Sequence, residues 1–235
     1  MAGSGRLEGP GRMGGMNRRA LRWSGFVLIT AGLVVLGYVG WQLYGTTWLA
    51  QRHQSDVVAA TERAWAEPAG RTISSDDTEL AEDVVAVVRI PAFGDDYAVP
   101  VYEGTDDDTL TRGFGLFGSS PAPGDPGNLA LGGHRITHGE PLRQMPELRP
   151  GDEVEIRTRD AVYTYTLDTA GDALTVGFDE DWVVRDRPVD PESGAPPPGL
   201  SPDPRLLTLV TCAEIFHTDD RLVAFGHLTD VVPVE

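Results

Sequence analysis

Cys212 is the only cysteine of the chain, and it ends an apolar run, residues 206–212, with the sequence LLTLVTC. A run rich in Leu, Val and Thr is typical of a buried β-strand, which here would present a thiol at its end. Arg221 follows and opens a second strand-like run, residues 221–225. A single cysteine cannot form an internal disulfide. It is therefore an inert core residue, half of an intermolecular bridge or a nucleophile.

A nucleophilic thiol needs a base, because the thiolate is the reactive form and the pKa of a free cysteine is about 8.5. His134 is the best-placed candidate, since it follows the strand-like residues 128–132 and a glycine pair that allows close backbone approach. His138 competes for the same role from four residues further along. The remaining histidines lie in less favourable places, and they are His53, His217 and His227.

Two further residues near the thiol have both a chemical and a structural interpretation. Arg221 can donate hydrogen bonds to a tetrahedral oxyanion or hold a peptide, or it is a surface cation that balances an acidic domain. Thr211 orients a substrate or the thiol, or it is an ordinary β-branched strand residue.

The N-terminal region predicts a membrane anchor. Residues 25–44 contain no charged side chain, and 20 helical residues rise about 30 Å, the thickness of the hydrocarbon core of a bilayer. Arg18, Arg19 and Arg22 precede this segment, which predicts a cytoplasmic N-terminus. A cleaved signal peptide is the alternative, but the apolar stretch is longer than usual and no small-x-small cleavage site follows it. We expect a single-pass protein in the cell membrane, with its main domain outside.

The composition limits the possible partners. The chain has 36 acidic residues against 19 basic ones, for a formal net charge of −17, and it contains no lysine. Such a charge repels nucleic acids and anionic lipid surfaces. The absence of lysine excludes Schiff-base chemistry and a lysine-dependent phosphate loop.

These features predict four segments: a basic tail (1–24), a transmembrane signal-anchor (25–44), a stalk (45–82) and a catalytic domain (83–235). In the stalk, residues 47–67 have a helical composition, whereas residues 74–77 have the composition of a disordered segment. The last segment has many short strand-like runs separated by turns, which predicts a mainly β, closed or nearly closed barrel. The expected elements are strands at 84–90, 128–132, 172–176, 206–212 and 221–225, an edge-like strand at 97–102, a hairpin from 153–159 and 161–167, short helices at 109–112 and 141–147, and a long loop at 188–204.

Three features of the sequence, taken together, resemble the motifs of sortases: the run that ends in Cys212, Arg221, and the strand-like run before His134. The run TLVTC at 208–212 with Arg221 is similar to the TLxTC…R signature of that family, and NLALGGHR at 128–135 is similar to its strand that ends in Gly-His. The GHR form, the anchor and the lysine-free composition most resemble actinobacterial class E sortases. The resemblance covers residues 84–228.

This resemblance implies an eight-stranded β-barrel with short helices and a cysteine transpeptidase activity. Cys212 would attack the Thr–Gly bond of an LPxTG- or LAxTG-like sorting signal on exported proteins, His134 would act as acid and base, and Arg221 would stabilise the oxyanion. A peptidoglycan precursor amine would then resolve the thioester. Two alternatives stay open: a hydrolytic thiol peptidase with the same residues, and a non-catalytic barrel that binds peptides.

No cofactor is required by this chemistry. The acidic residues Asp179, Glu180 and Asp181 form a cluster at a position where some relatives bind calcium. In a chain this acidic, a solvated patch is the favoured explanation of the cluster.

Overall fold

The computed structural model describes residues 18–41, 46–67, 75–136, 138–212 and 219–234, with the side chain of Cys212 outside the description. The chain divides into two compact units, Met1–Gln42 and Leu43–Glu235. The predicted tail and the end of the predicted anchor, residues 1–17 and 42–44, lie outside the described residues.

The first unit consists of one described helix, α1 (Arg18–Gly40). The large apolar side chains along it are exposed, among them Phe26, Leu28, Leu33 and Leu36. Among the described residues, no helix is both long enough and apolar enough to cross a membrane.

The second unit begins with two helices, α2 (Thr46–Ala66) and α3 (Ser75–Ala81). The predicted helix at 47–67 is confirmed by α2. The expectation of disorder at 74–77 is wrong from residue 75 onward, because α3 begins there with two acidic residues in its first turn, where they favour a helix N-terminus. Residues 68–74 lie outside the described part.

Helix α2 packs on the barrel rather than standing apart from it. Val57 and Val58 are buried in one cluster with Val84, Val87 and Tyr102. The helix is also tied to the barrel by polar contacts, such as the ion pair between Arg89 and Glu62 at 2.7 Å. The segment predicted as a stalk therefore includes a helix that contributes to the packed unit.

The rest of the unit is a closed barrel of eight strands, as predicted. The strands of the described residues are β1 (Val84–Arg89), β2 (Val99–Glu103), β3 (Phe114–Leu116), β4 (Gly127–Gly132), β5 (Glu153–Arg157), β6 (Ala161–Leu167), β7 (Leu174–Gly177), β8 (Arg205–Cys212) and β9 (Asp220–Pro233). Eight of them pair in the ring order β6-β5-β1-β2-β3-β4-β8-β9, and the β6–β9 pairing closes the ring. The ninth strand, β7, pairs with the beginning of β9.

The interior of the barrel is apolar. Phe114, Leu129, Ile156 and Tyr165 are among its fully buried side chains. Burial of this apolar surface is the main force that favours the closed barrel. The short helix predicted at 109–112 is confirmed as α4 (Asp107–Arg112), which begins two residues earlier than expected. The Asp106 carboxylate caps it by accepting a hydrogen bond from the backbone N–H of Thr109.

Two predicted elements differ from the structure. The strand at 97–102 is not an edge, because β2 pairs with β1 on one side and with β3 on the other. Pro100 suggested an edge, but the pairing with β3 starts only at Val101, so the missing N–H disturbs no bond of that ladder. The predicted helix at 141–147 is reduced to a 3-10 turn, Met145–Glu147.

Candidate active site

Strands β8 and β9 place two of the predicted site residues opposite each other. They pair antiparallel, with Cys212 across from Arg221 and Thr211 across from Leu222. Residues directly opposite on such a pair have Cβ atoms about 4.5–5.5 Å apart. The end of the cysteine strand therefore lies beside the start of the arginine strand, as the sequence motif suggested.

Strand β4 brings the predicted histidine to the same end of the barrel. β4 and β8 are parallel, with Gly132 opposite Val210, so the two strands end at the same edge of the sheet. The backbone N–H of Gly133 continues the pairing by donating to the carbonyl of Val210 at 3.1 Å. His134, the next residue, is thereby fixed close to the end of the cysteine strand.

Thr211 joins the two strand ends through its side chain. This residue is buried, and its hydroxyl donates a 2.7 Å hydrogen bond to the carbonyl of Gly133. The contact links the residue before the predicted nucleophile to the residue before His134. Its predicted role in positioning the substrate stays a prediction, whereas this link between strands is a structural role that the sequence did not reveal.

His134, Thr211 and Arg221 line one cleft with a volume of about 320 Å³. Most of its remaining wall is apolar, including Leu110, Phe117 and residues of β7. Its rim also carries the acidic residues Asp107, Glu180 and Asp181. An apolar groove with a few polar groups at one end suits an extended peptide better than a small polar metabolite.

The surroundings of His134 favour its neutral form. Burial lowers the pKa of this imidazole below its usual value, the nearby His138 lowers it further, and Asp107 acts in the opposite direction. The rings of His134 and His138 are 5.2 Å apart and tilted by 40°. A neutral imidazole at physiological pH can accept a proton, which is what a general base must do.

Arg221 is held against an aromatic ring at the edge of the cleft. Its guanidinium carbon lies 4.6 Å from the ring centroid of Phe178, and one of its N–H groups donates to the carbonyl of Asp220 at 3.0 Å. The cation–π contact fixes the direction of a long, flexible side chain. Sequence reasoning did not identify Phe178; the available signal was a bulky aromatic residue directly after a strand, among acidic neighbours.

The structure separates His227 from this site. His227 pairs with Leu206 on β8, six residues before Cys212, which at 3.3 Å a residue is about 20 Å away. Its Nδ1 lies 2.8 Å from a carboxylate oxygen of Asp168. His53 is exposed on α2, and His217 lies in the segment 213–218, outside the described residues.

The acidic cluster has contacts of its own. Glu180 accepts a 2.6 Å hydrogen bond from the backbone N–H of Gly177, and Asp181 forms a 2.7 Å ion pair with Arg185. Across the described residues, no group of three or more potential ligands is arranged to hold a metal ion. The earlier suggestion of calcium at this place therefore gains no support.

Comparison with known proteins identifies the family to which this geometry belongs. A sortase domain model matches residues 88–229, which is more than half of the chain. The chain is 31% identical over 222 residues to sortase SrtE1 of Streptomyces coelicolor; the match covers 91% of the chain but only 58% of that relative. The structure of sortase E from Streptomyces avermitilis matches with 32% identity and a TM-score of 0.55, covering 64% of this chain and 91% of that one. Sortase E1 of Streptomyces coelicolor with a tripeptide in its active site matches with 28% identity and a TM-score of 0.53, at the same coverage.

Proposed function

Because the chain belongs to the sortase family and is similar to sortase E proteins, we propose that it is a cysteine transpeptidase acting on a sorting signal of exported proteins. One observation carries the proposal. The β4–β8–β9 register brings the backbone of Cys212 opposite Arg221, and His134 and Arg221 line one cleft beside it. A nucleophile, a neutral base and a cation that stabilises an oxyanion can together carry out acyl transfer.

The first half of the reaction forms a thioester. The Cys212 thiolate attacks the carbonyl carbon of the Thr–Gly bond, and the negative charge that develops on the carbonyl oxygen is stabilised by Arg221. His134, having taken the thiol proton, gives it to the departing glycine nitrogen. The C–N bond breaks, and the protein is left attached to the sulfur.

The second half transfers the acyl group to an amine. A peptidoglycan precursor amine attacks the thioester carbonyl and loses a proton to His134. Cys212 leaves as the thiolate, and His134 returns the proton to it. One C–S bond is replaced by one amide bond, so no oxidant is needed. The largely apolar wall of the cleft helps the amine compete with water, because it offers ordered water few hydrogen-bond partners.

The substrate peptide would be an LPxTG- or LAxTG-like signal. The cleft has a volume of about 320 Å³ and a largely apolar wall, and a tripeptide occupies the active site of the related Streptomyces coelicolor sortase E1. The exported protein and the amine donor are therefore the partners we propose.

The membrane anchor completes the proposal. Residues 25–44 are uncharged and follow Arg18, Arg19 and Arg22, and the large apolar side chains of α1 are exposed. We assign residues 1–24 to the cytoplasm, residues 25–44 to the bilayer, and the barrel with α2 to the outer side. Protease added outside intact cells should digest the barrel and leave the tail protected; the reverse pattern would overturn this orientation.

The test of the activity uses the full chain in detergent micelles. Peptides with LPxTG or LAxTG are offered together with oligoglycine or a diaminopimelate-type amine, and the products of wild type and Cys212→Ala are compared by mass. An amine-linked product that the mutant does not form is the expected result. Cleavage to the free acid alone would favour a thiol peptidase. No cleavage, with a thiol that resists alkylation, would leave only a peptide-binding barrel.

A further inference from the structure

The loop that follows His134 has an unusual backbone. His138 and Glu140 have φ values of 53°, and Gly139 between them has a φ of 85°, so three consecutive residues lie in the left-handed region. Residues with a Cβ rarely adopt this conformation, and they keep it only where surrounding contacts hold it in place. The loop therefore depends on an external support.

That support comes from helix α2. The side-chain amide of Gln54 donates to the carbonyl of His138 at 3.3 Å, and that of Gln51 donates to the carbonyl of Gly139 at 3.1 Å. The Thr47 hydroxyl reaches the carboxylate of Glu140 at 3.4 Å. Positions 47, 51 and 54 repeat at helical spacing and so lie on one face of α2. One face of this helix thus contacts each of the three residues with a left-handed backbone.

Gln54 is the least exposed of these side chains. Only 3% of its surface is accessible, and a Cβ built on Gly139 would come within 2.7 Å of its amide. A long polar side chain is seldom buried this completely unless its hydrogen bonds require the position. The close approach also explains why glycine occupies the middle of the loop.

The loop in turn is connected to the cleft. The backbone N–H of Leu142 donates to the carbonyl of His134 at 3.0 Å, which closes the loop at its base. The ring of His138, at the loop's strained end, lies 5.2 Å from the ring of His134. A displacement of the loop would therefore move His138 and change the access of water to His134.

We infer that Gln51 and Gln54 of α2 are positioning residues of the active site, which hold the loop 138–140 and so fix the surroundings of His134. The effect on catalysis rests on the proposed function, whereas the effect on the His134 ring does not. The predicted stalk would then be part of the catalytic unit.

The test variant is Gln51→Met/Gln54→Met in the full chain, since methionine keeps the side-chain length and removes the donor. The His134 ring is titrated by NMR, and turnover is measured with the sorting-signal peptide. The titratable groups that act on this ring are His138 and Asp107 on α4, and Arg221, Glu180 and Asp181 line the same cleft. We expect the pKa of His134 to rise towards its ordinary value and kcat to fall by about tenfold with little change in KM, because geometry rather than peptide binding is lost.

The matched control is Glu62→Met, which removes the α2 ion pair with Arg89 on β1 and leaves the loop contacts intact. It should leave both the His134 titration and kcat unchanged. If the double variant titrates like wild type while its melting temperature falls as in the control, α2 only stabilises the fold and the inference is wrong.

A further variant and the titration of the His134 ring distinguish a failure of this inference from misfolding of the double variant and from a failure of the proposed function. The single variant Gln51→Met alters an exposed side chain, so it folds even if the double variant does not, and it should shift the titration in the same direction. If wild type shows no transpeptidation, the proposed function fails, but the titration still decides whether α2 positions the loop.

Discussion

Two histidines of this barrel, His134 and His227, sit near opposite ends of strand β8 in contrasting surroundings. His227 lies beside the start of β8, and its Nδ1 is 2.8 Å from the Asp168 carboxylate, which is itself bonded to the backbone N–H of Ser201. His134 lies beside the end of β8, and within the described residues its ring contacts His138 rather than a carboxylate. One imidazole is fixed in a structural pair, and the other faces a cleft.

The difference shows what makes a histidine available for chemistry. A ring that shares a short bond with a carboxylate is held in one tautomer and contributes to stability. A half-buried ring beside another histidine is kept neutral, and it can take up a proton from a thiol. The two imidazoles therefore differ in the groups beside them rather than in their exposure to solvent.

The largest expected effect is the loss of activity on replacing the cleft histidine. His134→Gln should lower kcat/KM by about 10²–10⁴-fold, because general acid–base catalysis disappears from both halves of the reaction. His227→Gln is the matched control and should keep nearly full activity. Steady-state kinetics on the sorting-signal peptide measure both effects. Equal losses of kcat/KM in the two variants would contradict a catalytic role for His134 alone.

The next effect concerns the cation opposite Cys212. Arg221→Met should reduce kcat by about 10²–10³-fold, which is the usual cost of losing one oxyanion donor. Phe178→Leu keeps the guanidinium but removes the ring that orients it, so its loss should be only about 2–5-fold, in line with one cation–π contact. Turnover of both variants tests this order, and a Phe178→Leu loss as large as that of Arg221→Met would assign the main role to the ring.

A smaller effect is expected at the other end of β8. Asp168→Asn should lower the free energy of unfolding by about 1–3 kcal/mol, because a largely buried hydrogen bond to a charged group is lost. Urea denaturation measures this loss. Turnover of the remaining folded protein should be unchanged; a selective fall in kcat would mean that the two ends of the strand are coupled.

The smallest effect tests the electrostatics of the histidine pair. Replacing His138 by Asn, which tolerates a positive φ, removes one of the two causes that lower the pKa of His134. The pKa should rise but stay below 6.5, since burial is the larger cause. A base with a higher pKa is protonated at higher pH, so the acidic limb of the kcat/KM profile should move to higher pH. An NMR titration of the ring gives the same answer directly.

The same pKa also predicts a pH dependence of stability. Because the pKa of His134 is lower in the folded than in the unfolded state, the unfolded chain binds the proton first as the pH falls. The stability contribution is complete above about 6.5 and is lost as the pH drops through the folded value. Urea midpoints of His134→Gln should therefore vary less than those of wild type over this window.

Elements with a local signal were predictable. The apolar run of β8, the alternating hairpin β5–β6 and the short helix α4 were recognised because neighbouring residues carry the whole pattern. Strand β3 was missed, since three residues with a central glycine show no periodicity. The site residues of the cleft followed from motifs, whereas Phe178 belonged to none.

The sequence by itself determined where most of the strands run, which residue types end them, and that Cys212, His134 and Arg221 belong to one family motif. Only the tertiary structure decided that β4 and β8 are parallel, that His227 is tied to Asp168, and that α2 rests on the loop after His134. These contacts join residues far apart in the chain. Their geometry depends on closure of the whole barrel, and no local pattern of residues encodes it.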